Sequence, residues 1–170
     1  MSPFAWLIGL ALPACAAAGA GGLPTPPATD LTRMERPATP NTALAGPGGE
    51  SAVTIAPPDI ITPIYDVPAA TLFAAVRAVA AAQPRTFPAA QYPDRLQDDW
   101  VARSAVFNFP DLITSQVTPA GPDTSTLVLY SRSVYGRSDL GVNRRRLVVW
   151  LDALDATLHS HPQMHSQPQR

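Results

Sequence analysis

The run Trp100-Val101-Ala102-Arg103-Ser104-Ala105-Val106-Phe107-Asn108-Phe109-Pro110-Asp111-Leu112-Ile113-Thr114-Ser115-Gln116-Val117-Thr118 decides the fold. In an extended chain, residues two apart share a face. Over Trp100 to Phe109 that rule gathers Val101, Ala105, Phe107 and Phe109 on one side, with Arg103 between them, and over Leu112 to Thr118 it pairs Ile113 with Val117. Pro110 fixes φ within Phe109-Pro110-Asp111, which reads as the turn between the two runs. A third run, Thr126 to Tyr135, aligns Leu127 with Leu129 and follows a second turn, Pro119-Ala120-Gly121-Pro122-Asp123. The expectation is an antiparallel meander of three strands, with a weaker fourth over Arg85 to Gln91.

Outward from this block the periodicity changes. Ala69 to Ala82 reads as a helix opened by Val67-Pro68, with Asp66 near its positive end, and closed by Gln83-Pro84. Leu72, Phe73, Val76 and Val79 form its apolar face, opposite alanines and Arg77. A second helix runs from Ser138 or Asp139 to His159, striped by Leu140, Leu147, Leu151, Leu154 and Leu158 with Val148 beside them. The fold class is therefore α+β: a small antiparallel sheet of three to four strands, two helices covering one face, in the order helix–strands–helix.

Composition assigns this domain to residues 57–160. Residues 16–56 are rich in Pro, Gly, Thr and Ala and read as a disordered tether, with Pro24-Thr25-Pro26-Pro27 favouring extended polyproline II. The tail, residues 161–170, is read as disordered. Residues 1–15 read as a targeting segment: Phe4 to Leu12 is apolar but shorter than the ~20 residues of a spanning helix. It leads into Leu12-Pro13-Ala14-Cys15, which resembles a lipoprotein lipobox, so that Cys15, the one cysteine, is the expected lipidation site and the membrane the expected partner. The expected location is the cell envelope, facing the periplasm or exterior. Signal cleavage within Ala14 to Ala20, giving a soluble periplasmic or secreted protein, and a start at Met34 are the alternatives. One cysteine excludes an intramolecular disulfide, and a net charge of -1 supplies no global field for nucleic acid. All basic side chains are arginine.

The most distinctive segment is Ser131-Arg132-Ser133-Val134-Tyr135-Gly136-Arg137-Ser138-Asp139-Leu140-Gly141-Val142-Asn143-Arg144-Arg145-Arg146. Gly136 permits positive φ, and Ser138 or Asp139 can cap the helix start. Gly141, costly inside a helix, suggests close approach of another backbone or a bound group. Five arginines stand against the single carboxylate Asp139, a concentration that suits an anion such as a phosphate, a carboxylate or a lipid headgroup. The structural alternative pairs Arg132 with Asp139 or Asp111 and turns Arg144, Arg145 and Arg146 to solvent. Together with Arg103-Ser104 and Phe109-Pro110-Asp111, this segment resembles the bacterial family catalogued as domain of unknown function 1499, over roughly Ile64 to Leu158. That resemblance implies no assigned activity. The candidate binding residues are Arg103, Asp111, Arg132, Arg137, Asp139, Asn143, Arg145 and Arg146.

Other signals are weaker. His159, His161, Met164 and His165 have metal-binding chemistry but no site-like spacing, and no metal or cofactor is expected. Asp152 and Asp155 fall on the solvent side of the second helix, and nothing in the pattern buries Asp98 or Asp99. Gly-x-Ser-x-Gly is absent and the histidines all lie in the tail, which weighs against a serine hydrolase. The leading reading is a non-catalytic envelope module binding a protein partner or an anionic small molecule. The others are an enzyme using Asp111 or Asp139 as base on an envelope substrate, and a purely structural assembly protein.

Overall fold

The computed structural model describes residues 18–23, 28–31, 33–49, 54 and 56–160. The expected lipidation site Cys15, the apolar leader and the His/Met tail beyond Ser160 lie outside them. Among the described residues are six strands and two α-helices: β1 (Thr42–Gly46), β2 (Ile60–Ile61), α1 (Ala69–Ala82), β3 (Thr86–Tyr92), β4 (Gln97–Arg103), β5 (Pro110–Pro119), β6 (Ser125–Ser133) and α2 (Val142–Ser160). The strands form one sheet in the order β2-β1-β6-β5-β4-β3. β1 and β2 are parallel and every other pairing is antiparallel, so the sheet is mixed. The α+β class and the β4–β5–β6 meander hold. The count of three to four strands does not, because β1 and β2 come from chain outside the meander.

α1 has the bounds its pattern predicts, and Leu72, Phe73, Val76 and Val79 are buried. Both helices lie on one face of the sheet, over a core that includes Ile113, Val117, Leu127, Leu129, Leu147 and Leu154. Trp100 meets Trp150 edge-on there, with ring centroids 6.4 Å apart. The second helix starts later than its pattern suggests. Leu140, assigned to its stripe, has φ 53° and is 85 % exposed, while Trp150 takes up buried space in α2.

The opposite face is covered too. Leu31, Leu44, Val128 and Tyr130 form a second apolar cluster, with Met34 and Ala56 packed against it. Period-two alternation requires this, since Leu44 lies between the inward Ala43 and Ala45, and Val128 between the inward Leu127 and Leu129. The boundary at residue 57 is thus corrected. Thr42–Gly46 is an interior strand between β2 and β6, and its neighbours are tied down by an Arg36–Asp59 ion pair at 2.8 Å and by donation from the Leu44 N–H to Asp59 Oδ2 at 2.8 Å. Low aromatic content hid it: small residues suffice where a strand lies under helices.

The strand read as Trp100 to Phe109 ends at Arg103. Ser104 closes the following loop, donating its N–H to the Phe109 carbonyl and accepting the Phe109 N–H on Oγ, both at 2.9 Å. Asn108 has φ 55°. Phe107 and Phe109 therefore stack on each other outside the core, with centroids 5.6 Å apart.

Candidate functional site

The end of β6 and the start of α2 build a buried polar junction centred on Asn143, which is completely inaccessible. Its Oδ1 accepts from Ser131 Oγ (2.6 Å) and Arg146 Nη1 (2.7 Å), while its Nδ2 donates to the Asn41 carbonyl (2.9 Å) and Ser133 Oγ (3.0 Å). Arg146 also donates to Ser131 Oγ at 3.0 Å and pairs with Asp111 at 2.6 Å. Asn41 Nδ2 donates to the Gly136 carbonyl at 2.8 Å. Side chains from β6 and α2 and the carbonyl of the residue just ahead of β1 thereby converge on one amide, with its donors and acceptors used, and Asp111 of β5 joins through Arg146.

Of the two capping candidates, Ser138 and Asp139, it is Asp139 whose carboxylate caps the start of the helix. Oδ1 accepts the Gly141 N–H at 2.9 Å and Oδ2 the Asn143 N–H at 2.8 Å. Gly141 lies ahead of the helix with φ 77°, so backbone conformation accounts for it and the inferred close approach is withdrawn. A methyl there would meet only the mobile end of Arg145, 3.3 Å away. The proposed pairing of Arg132 with Asp111 or Asp139 is also corrected: Asp111 takes Arg146, and Asp139 takes backbone N–H groups. Arg146 does not point into solvent, whereas Arg144 and Arg145 are exposed as expected.

The candidate residues separate accordingly. Asp111, Asn143 and Arg146 form the junction, and Asp139 borders it. Arg137 is exposed in the loop, and Arg132 lies on the far face of the sheet, near Asp99 and Tyr130. Arg103, only 4 % exposed, donates to the carbonyls of Gly19 (2.6 Å), Gly21 (2.8 Å) and Asn108 (3.1 Å). Asn41 escaped the sequence reading because it lies in the segment taken for a tether. Ser131 and Ser133 stood in the distinctive run, and their spacing of two on a strand was the available signal.

Beside the junction opens a cleft of about 270 Å³ between the β3–β4 edge and the first turns of α2. Its polar lining residues are Gln83, Thr86, Arg103, Arg145 and Arg146, and Ala102, Val149 and Trp150 form much of its apolar wall. Among the described lining residues there is no carboxylate and no histidine. Arg145 Nη1 donates to the Leu140 carbonyl at 2.8 Å at the exposed rim.

Elsewhere the structure buries Asp98 and Asp99, contrary to the sequence reading. They point to opposite faces of β4. Asp98 stands 2.9 Å from Arg77 Nε on α1, without an aligned N–H, and Asp99 accepts from Thr114 Oγ1 at 2.7 Å. Burial raises both carboxyls above the ordinary range against these partners, and Asp99 raises Asp98 further. No group of three or more metal-ligating side chains occurs among the described residues, nor any helix long and apolar enough to cross a membrane.

A mixed six-stranded sheet with two helices on one face and a polar lock at the β6–α2 junction defines the class: a two-layer α+β domain whose far face is sealed by preceding chain. Residues 31–154 match the family model described as protein of unknown function DUF1499, and the chain belongs to that family. No curated protein and no solved structure matches it.

Proposed function

We propose that this protein is a non-catalytic envelope module that holds an anionic group in the arginine-walled cleft beside α2. One observation carries the reading: the arginines Arg145 and Arg146 of α2, with Arg103 at the end of β4, are among the residues lining a partly apolar cleft that has no acid among its described lining residues. A carboxylate or phosphate ester with a short apolar body fits that chemistry, because guanidinium forks match both oxyanions and Val149 and Trp150 offer contact to a hydrocarbon. The free N–H groups of α2 are not the attraction, since Asp139 occupies those of Gly141 and Asn143. The same reading includes export and acylation at Cys15, supported by the apolar leader and Leu12-Pro13-Ala14-Cys15.

Decanoate and decanol separate charge recognition from greasiness, and Trp150 in the wall reports by its fluorescence. Decanoate should quench or shift the emission saturably, and Arg145→Glu, at an exposed position, should weaken it at least about tenfold, consistent with loss and reversal of one charge-assisted contact. Equal decanoate affinity in wild type and variant, or equal binding of decanol, defeats the assignment.

A further inference from the structure

The loop between β4 and β5 exposes apolar side chains with no local structural need to do so. Val106 is 82 % exposed, Phe107 67 % and Phe109 44 %, and Phe87 at the start of β3 is 37 % exposed. The loop is nevertheless pinned. Arg85 donates through Nε to the Arg103 carbonyl at 3.0 Å and through Nη2 to Asn108 Oδ1, and Arg103 holds the Asn108 carbonyl. A rigid loop that presents stacked rings to solvent is a contact surface, since scattered single apolar residues would not stack or be so held.

The register puts more at this end of the sheet. β3 begins here, β4 ends, β5 begins and β6 ends, as Thr86↔Ala102, Arg103↔Pro110 and Asp111↔Ser133 require. The exposed Leu140 and Val142 join it ahead of and at the start of α2. So do the exposed Arg85, Arg137, Arg144 and Arg145, against Asp139. The opposite end carries the exposed Asp94 and Asp123 in its hairpin turns and Asp66 ahead of α1, with the exposed Arg95 among them. The charge is thus polarised along the strands, although the whole chain sums to -1.

The path of the chain adds the direction. The same Arg103 that holds the loop also donates to the carbonyls of Gly19 and Gly21, so the described chain enters against this end, and a Cβ on Gly19 would lie 3.8 Å from Phe87. Cys15 is four residues before Gly19. Four residues span at most about 14 Å.

We propose that this end of the domain lies on a bilayer with anionic headgroups: Val106, Phe107 and Phe109 enter the interface and Arg85, Arg137, Arg144 and Arg145 meet the phosphates. The inference rests on the acylation of Cys15. It replaces a domain at the end of a disordered tether by one seated at the surface. Apolar side chains flanked by cations are the composition that partitions into an anionic interface.

The test uses the full chain produced in a bacterial host, with the mass of its mature N-terminus measured first. An acylated Cys15 leaves a thiol introduced by Val106→Cys as the one free thiol, and Asp123→Cys is the control at the opposite end. Each is labelled with an environment-sensitive fluorophore and reconstituted in phosphatidylcholine/phosphatidylglycerol vesicles with acyl-chain nitroxide lipids. Emission should fall at least about twofold at position 106 and stay unchanged at 123. Acylation without quenching at 106 overturns the seating alone, and protection of that label from aqueous iodide without lipid quenching assigns the patch to a protein and overturns it likewise. An unacylated Cys15 removes the anchor, and this inference with it.

Discussion

Asn143 shows how much a single amide can organise. It sits in the first turn of α2, yet its partners come from positions 41, 131, 133 and 146. An amide suits the place because it offers two acceptor and two donor sites of fixed geometry, and here the neighbours are two hydroxyls, a carbonyl and a guanidinium. Asn143→Ala should destabilise the domain by about 2–4 kcal/mol, because Ser131 and Arg146 would lose a shared acceptor inside the protein. Urea unfolding measures it, and a loss below about 0.5 kcal/mol would show that water replaces the amide at little cost. Asp111 and Arg146 belong to the same lock although 35 residues separate them, so their pairing is a product of tertiary assembly.

Among the elements, β1 has the largest consequence. It pairs with β6 over Thr42↔Arg132 to Ala45↔Leu129 and buries Ala43, Leu44 and Ala45. Leu44 alone removes enough apolar surface to contribute about 1.5–3 kcal/mol. Without β1, the β6 edge would offer unpaired N–H and C=O groups and Val128 and Tyr130 would lose their cover. A chain beginning at Ala18 should unfold cooperatively on heating, whereas one beginning at Pro57 should not. Circular dichroism melts decide this, and a sharp transition in the shorter chain would make β1 dispensable. The β4–β5 loop shows the opposite error of pattern reading. Phe107 and Phe109 extend the alternation past Arg103, but Asn108 turns the chain, and the rings that looked like core face outward.

At the scale of the molecule, β4 separates two differently built layers, and Asp98 and Asp99 carry carboxyls into both. Asp98 faces Arg77 of α1, and Asp99 faces Thr114 with Arg132 nearby. Their raised folded-state affinity for protons means that this contribution to stability is full below the ordinary carboxylate range and is lost as pH rises through the folded value. Asp99→Asn keeps the volume and removes the charge. The advantage of Asp99→Asn over wild type in unfolding free energy should therefore be absent near pH 3 and grow toward pH 7, and a difference constant with pH would refute the assignment. Part of the helix-facing layer was legible in advance: the α1 face, Ile113 with Val117, and Leu127 with Leu129 follow from local periodicity, whereas the inward Trp100, Ala102 and Trp150 were not read. The candidate site was legible as a cluster of residue types, but its pairings were not.

Local sequence therefore determined the α+β class, the bounds of α1, the β4–β5–β6 meander and a helix cap at Ser138 or Asp139, because spacing, proline and a short polar side chain act within a few residues of themselves. The tertiary structure decided the rest: that Thr42–Gly46 is a central strand, that Asp111 joins Arg146 and Asn41 joins Asn143, and that Asp98 and Asp99 are buried. Those outcomes depend on groups far apart in the chain competing for the same partners and the same dry space, and no local pattern ranks such competitors.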